Sequence, residues 1–147
     1  MHTRHGLAAL LLVGAMACSR NSAGTIPTTQ QFTRQVDATP TRVITAASAV
    51  FGERGIGVAT MDETKGDVVS VPLSSQGTWG NATPEERIDC PAAAVASTVR
   101  LRLRSKAERN GSVVSLEAER SGAGCVLRSQ FVTQLLDDII ARAKSGT

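Results

Sequence analysis

Apolar residues along this chain fall into two spacings, one helical and one alternating, and the two mark different elements. Val43, Ile44, Ala47, Val50 and Phe51 follow the helical repeat as one stripe. Thr39-Pro40 stands where that stripe begins. A Thr hydroxyl there accepts from an early backbone N–H, and Pro loses nothing at the first helical position, where an N–H has no partner. Gly52 or Gly55 then offers a left-handed stop. A second stripe, made of Phe131, Val132, Leu135, Leu136, Ile139, Ile140 and Ala143, predicts an amphipathic helix from about Ser129 to Lys144. Asp138 is placed to pair with Arg142 one turn on.

Between the helices the period is two. Ile56, Val58 and Thr60 alternate as a strand, Asp62 to Gly66 turns, and Val69, Val71 and Leu73 run in phase on the return. In a second hairpin Val99, Leu101 and Leu103 alternate with Arg100, Arg102 and Arg104; beyond Asn110-Gly111, Val114, Leu116 and Ala118 alternate with Ser115, Glu117 and Glu119. A two-residue Asn-Gly turn pairs Arg109 with Ser112. That register sets Arg104 opposite Glu117, Arg102 opposite Glu119, Leu103 opposite Ala118, Ser105 opposite Leu116 and Ala107 opposite Val114. Gln31 to Asp37 is expected as a further strand, with Phe32 and Val36 on a face interrupted by Arg34. Ser74 to about Ala96 reads as irregular, with Gly77, Gly80, Pro84 and Pro91, and it holds Trp79 and Cys90. A segment so long needs something to tie it down. The order, roughly β-α-β-β-β-β-α, predicts an α+β fold: an antiparallel sheet of four to five strands with two helices packed on one face.

Ahead of these elements the pattern changes. Behind His2, Arg4 and His5, the run Leu7 to Ala17 is eleven residues long and apolar, and it ends at Ala15-Met16-Ala17-Cys18. Its length is that of a secretory leader core, short of the ~20 residues that a spanning helix needs. Small residues immediately before a Cys resemble the lipobox of bacterial lipoprotein signals. The match covers the first eighteen residues and departs from that class at Ala15, where Leu is common. Ala15 and Ala17 also satisfy the small-x-small rule of ordinary leader cleavage, and both readings cut before Cys18. The resemblance implies a diacylglyceryl group on the Cys18 sulfur and a palmitate-type acyl chain on its amino group, an anchor of several chains. Ser19 in place of Asp implies the outer membrane, facing the periplasm, under the sorting rule of enteric bacteria. The alternative is a secreted or periplasmic soluble protein. The expected organisation is a signal peptide over 1–17, a polar tether over 18–30 and a single α+β domain over 31–147. The body, from Gln31 to Lys144, resembles in element order the small helix-and-sheet modules of envelope lipoproteins such as the BamC type. That resemblance implies a non-catalytic assembly or scaffolding role and carries no site residue.

With Cys18 lipidated, Cys90 and Cys125 have one possible pairing within the chain, and an exported compartment permits it. The other reading, two reduced thiols that bind metal, finds no CxxC and no nearby His.

Charge and residue types narrow the chemistry. Losing Arg4 with the leader leaves 15 of the 16 basic residues against 13 acidic ones, a slight imbalance that implies no nucleic-acid partner. Both histidines, His2 and His5, lie in the leader, and Tyr is absent from the whole chain. A Ser-His or Cys-His nucleophile pair and the commonest zinc sites are therefore unavailable to the mature domain, and no cofactor or metal site is expected. Carboxylate-only catalysis would have to draw on Asp37, Asp62, Glu63, Asp67, Asp89, Asp137 and Asp138, whose spacing favours no pair; Asp137 and Asp138 are expected to face water. Gly52-Glu53-Arg54-Gly55 resembles the GxxG loop of KH domains, but a helix stop followed directly by a strand explains the glycines, and no second helix follows. The row Arg100, Arg102, Arg104 and Lys106 is expected as a neutralised solvent face, and Trp79 as a plug over a sheet edge or an exposed binding aromatic.

The expected function is a tethered, non-catalytic binding, assembly or structural module with an envelope protein partner. The alternative is a carrier of lipid or a small apolar ligand held between sheet and helices.

Overall fold

The computed structural model of the chain describes residues 29–74, 84–90, 98–121 and 125–146. Cys18, the segment expected as a tether as far as Thr28, and Trp79 lie outside them, while Thr29 and Gln30, expected as the end of that tether, belong to the first strand. In chain order the elements are β1 (Thr29–Val36), α1 (Pro40–Glu53), β2 (Val58–Asp62), β3 (Asp67–Ser70), β4 (Leu73–Ser74), α2 (Pro84–Arg87), β5 (Ile88–Asp89), β6 (Thr98–Glu108), β7 (Gly111–Ser121), β8 (Val126–Leu127) and α3 (Ser129–Ser145). One sheet has the order β1-β7-β6-β3-β2, with β4 also paired to β6, and a small ladder joins β5 to β8. Every pairing among the described residues is antiparallel. The fold is α+β as expected, with six strands in the main sheet among the described residues instead of four or five, because β4 rejoins β6 beyond an irregularity. The segment expected to be irregular contains α2 and β5.

α1 is bounded by the residues that its sequence offers for the purpose. The Thr39 hydroxyl accepts from the Arg42 N–H at 3.4 Å, and Pro40 takes the first helical position. At the other end Gly55 has φ 68°. The Gly55 N–H donates to the Gly52 carbonyl (3.0 Å) and the Ile56 N–H to the Phe51 carbonyl (2.8 Å), a Schellman stop with Phe51 and Ile56 buried on it. The two glycines are thus a helix terminus, and Ile56 belongs to it, so β2 begins later, at Val58. β2 is bulged between Val58 and Thr60, and Thr60 is exposed.

The long hairpin of β6 and β7 keeps a two-residue loop, but its register is displaced by two from the one that the Asn-Gly rule gives. Glu108 faces Gly111, so Arg109 and Asn110 form the loop. Neither takes positive φ, which a type I′ turn requires of both central residues, whereas Gly111 has φ 120°. The core pairs are therefore Leu103 with Leu116, Leu101 with Ala118, Ser105 with Val114 and Ala107 with Ser112. A shift of two residues leaves every side chain on its expected face, which is why alternation alone could not detect it.

The phase of β3 is also corrected. Val68 and Ser70 are buried, while Val69 is only half-buried and Val71 exposed. Val69 faces Arg102 and Leu73 faces Val99, so three residues on this side span two on β6. The extra residue returns Leu73 to the core in a phase that Val69 and Val71 do not share. Buried Ser70 serves the irregularity: its hydroxyl accepts from the Leu101 N–H (2.9 Å) and donates to the Val71 carbonyl (2.8 Å).

α1 and α3 cover one face of the sheet and run in opposite directions. Arg42, near the start of α1, donates to the Lys144 carbonyl at 2.9 Å, near the end of α3. Arg54, just past α1, pairs with Asp138 in the middle of α3, and Arg142 pairs with Glu53 at 2.5 Å. The expected pair within α3, Asp138 with Arg142, gives way to these two pairs, because each side chain finds an opposite charge at the C-terminal end of α1, Arg142 on Glu53 and Asp138 on the capping residue Arg54. Val43, Ile44, Ala47, Val50 and Phe51 of α1 and Phe131, Val132, Leu135, Leu136, Ile139 and Ala143 of α3 are buried; Ile140 is half-buried at the margin. Facing them, Leu101, Leu103, Leu116 and Ala118 are fully buried.

Candidate functional site

The open face of the sheet carries the arginine row. Arg102 lies 3.4 Å from Asp67 and 4.0 Å from Glu119, and Arg104 lies 3.3 Å from Glu117 and 3.9 Å from Asp67. The charge pairs expected from sequence, Arg104 with Glu117 and Arg102 with Glu119, both form, but diagonally, because the residue directly opposite Arg102 is Glu117 and the one opposite Arg104 is Ser115. Asp67, contributed by β3, was not foreseen, since it enters only once β3 is placed beside β6. The centre of this face is thus a set of ion pairs, with exposed Arg100 and Lys106 at its two ends.

The acidic residues sit at separate places. Asp62 closes the tip between β2 and β3: its Oδ1 accepts from the Thr64 hydroxyl (2.6 Å), the Lys65 N–H (3.0 Å) and the Thr64 N–H (3.1 Å), and Lys65 lies 3.1 Å from its other oxygen. The Thr64 hydroxyl first, and then the Lys65 backbone and ammonium, hold this carboxyl down to a pKa of about 2. Asp89 lies 3.9 Å from Arg128, Asp138 pairs with Arg54, and Asp37, Glu63 and Asp137 are exposed. Among the described residues no three His, Cys, Asp or Glu side chains gather as a metal site would require.

Cys90 and Cys125 are joined by a disulfide. β5 and β8 pair Ile88 with Leu127 and Asp89 with Val126, so the next step of the same register places Cys90 opposite Cys125. Cys90 is exposed and Cys125 buried. Around the bond the structure adds contacts that the sequence did not announce. The Gln30 amide acts as a strand would, accepting from the Leu127 N–H (2.8 Å) and donating to the Leu127 carbonyl (3.3 Å). Arg120 donates to the Cys125 carbonyl, and the Arg87 carbonyl accepts from the Arg128 N–H (2.7 Å). Arg87 itself is fully buried. No periodicity marks these residues, because each bonds a residue outside its own element.

A groove of about 470 Å³ lies between α1 and α3, with Ala46, Ala49, Ala143 and Gly146 among its lining residues and Arg42, Glu53 and Arg142 contributing charge. A smaller hollow of about 220 Å³ at one end of the sheet is lined by Pro72, Arg100, Glu119 and Arg120 among others. Among the described residues, the core side chains of α1, α3 and the sheet form one buried cluster between sheet and helices, the place where the alternative reading would hold a carried ligand. Among the described residues no helix is long and apolar enough to cross a membrane. Cys18, expected as the lipidation residue, and Trp79 lie outside the described residues.

No protein-family model matches the chain. No curated protein matches it in sequence. Among solved structures it is similar to an uncharacterized protein of Rhizobium leguminosarum, at 14% identity and a TM-score of 0.44, covering 80% of this chain and 94% of that one. It is also similar to a protein of Thermus thermophilus, at 12% identity and a TM-score of 0.40, covering 81% and 99%. A third neighbour is a protein of Chromobacterium violaceum, at 14% identity and a TM-score of 0.39, covering 82% and 96%. Likenesses this distant carry no argument about what the chain does.

Proposed function

We propose that the chain is a lipid-tethered, non-catalytic binding or structural module of the bacterial cell envelope, anchored through Cys18 at the outer membrane and facing the periplasm. The observation that carries this reading is the Cys90–Cys125 bond, formed in the register of β5 and β8. Disulfides persist in oxidising compartments, so the bond agrees with export by the leader that ends at Ala15-Met16-Ala17-Cys18. The carboxylates add support: Glu53, Asp62, Asp67, Asp89, Glu117, Glu119 and Asp138 each stand against a basic side chain, as structural charges do. The partner is expected to be another envelope protein. Fractionation of cells tests the anchor: the natural chain sediments with membranes, and Cys18→Ser releases it to the soluble exported fraction. Crosslinking in intact cells then identifies the neighbours of the tethered form. A natural chain that stays in the cytosol with its leader attached contradicts the reading.

A further inference from the structure

The two edges of the main sheet are built differently. β2 is five residues long and broken by a bulge, features that discourage a further strand. β1 is eight residues long, keeps unbroken register with β7 from Thr29 to Val36, and contains no proline and one charged residue, Arg34. Among the described residues no strand pairs with its outer side. Arg34 turns back onto the Thr33 carbonyl (3.1 Å), and Phe32 stands half-buried on the helix-bearing side of this edge.

We propose that β1 is a dimer contact through which two copies of this chain join their sheets by antiparallel strand addition. The pattern of β1 fits its own copy. Side chains alternate between the two faces, so a twofold axis through Phe32 or Thr33 keeps both Phe32 side chains on the helix side, near one another. Gln31, Thr33 and Gln35 then share the open face with their counterparts. Because Arg34 is the only charge in the strand, neither of these registers sets like charges directly opposite. The association also closes: pairing β1 with β1 consumes the regular edge of both copies and leaves a bulged β2 at each end, so growth stops at two. A single strand pair with a small apolar contribution makes a dimer that responds to concentration.

The test uses the full chain carrying Cys18→Ser, exported and processed, so its outcome is independent of lipid anchoring. Sedimentation across a concentration series is expected to move from monomer to dimer. Thr33→Asp, on the open face and near the axis, is expected to lower the dimer fraction at least tenfold while leaving circular dichroism unchanged. In a second set, a single cysteine at Phe32 or Thr33 is expected to oxidise to a covalent dimer, and one at Thr29 or Val36 is not. A monomer at every concentration overturns the proposal. So does a dimer that forms no crosslink at either central position, which would locate the contact elsewhere, for example at the groove between α1 and α3. The crosslinks decide the matter even if Thr33→Asp fails to fold.

Discussion

Gly111 meets two demands at once. It holds φ 120° where the chain leaves the β6–β7 turn, and a Cβ there would stand 2.1 Å from the Val36 carbonyl oxygen at the end of β1. Gly111→Ala is therefore expected to lower the free energy of unfolding by about 1–3 kcal/mol, read as a shift of the urea midpoint. An unchanged midpoint would disprove the turn geometry. Asp62 gives a pH-dependent prediction. Its folded pKa, about 2, is below the unfolded value of about 3.9, so its contribution to stability is present above the unfolded value and is lost as pH falls through the folded one. The stability difference between the natural chain and Asp62→Asn should accordingly be constant near neutrality and shrink between about pH 4 and pH 2. A difference that does not shrink over that range would contradict the hydrogen-bonded tip. At this scale the sequence was legible where a residue acts on its own neighbours in the chain, as Thr39, Pro40 and Gly55 do. Gln30, Ser70 and Asp67 act across strands and could be found only after the strands were placed.

Helices were more legible than strands, for a geometric reason. The stripes of α1 and α3 each span several turns, so one ambiguous residue does not change which face is buried. β3 has four residues, two adjacent valines and a bulge behind it, and one extra residue reverses the phase of everything beyond. The hairpin of β6 and β7 kept its faces while its register moved by two, because parity constrains faces and turn geometry constrains register. The cross-helix ion pairs were hidden for a related cause: Asp138 and Arg142 are spaced to pair with each other, but α1 offers both an alternative. A double-mutant cycle on Arg54 and Asp138 is expected to give a coupling of about 0.2–1 kcal/mol that weakens with added salt, since both side chains are partly exposed. Zero coupling there, with measurable coupling between Asp138 and Arg142, would restore the pairing within α3.

For the molecule as a whole, the disulfide links the small β5–β8 ladder across a sequence separation of 35 residues. By loop-closure entropy, reducing it or replacing both cysteines with alanine is expected to lower stability by about 3–4 kcal/mol, measured by denaturant titration with and without reductant. Identical curves would show that the bond contributes nothing to the folded chain. The α+β class and the single covalent pairing were legible from alternation, stripes and cysteine count. The extra strands were not, because β4, β5 and β8 have two residues each and leave no periodicity. The proposed state, an exported domain with a lipid at its N-terminus and one internal disulfide, can be read in a single experiment, non-reducing peptide mass mapping of the protein recovered from cell membranes. The predicted result is an N-terminal peptide beginning at acylated Cys18 together with a linked Cys90–Cys125 peptide pair; an intact leader with three free thiols would contradict it.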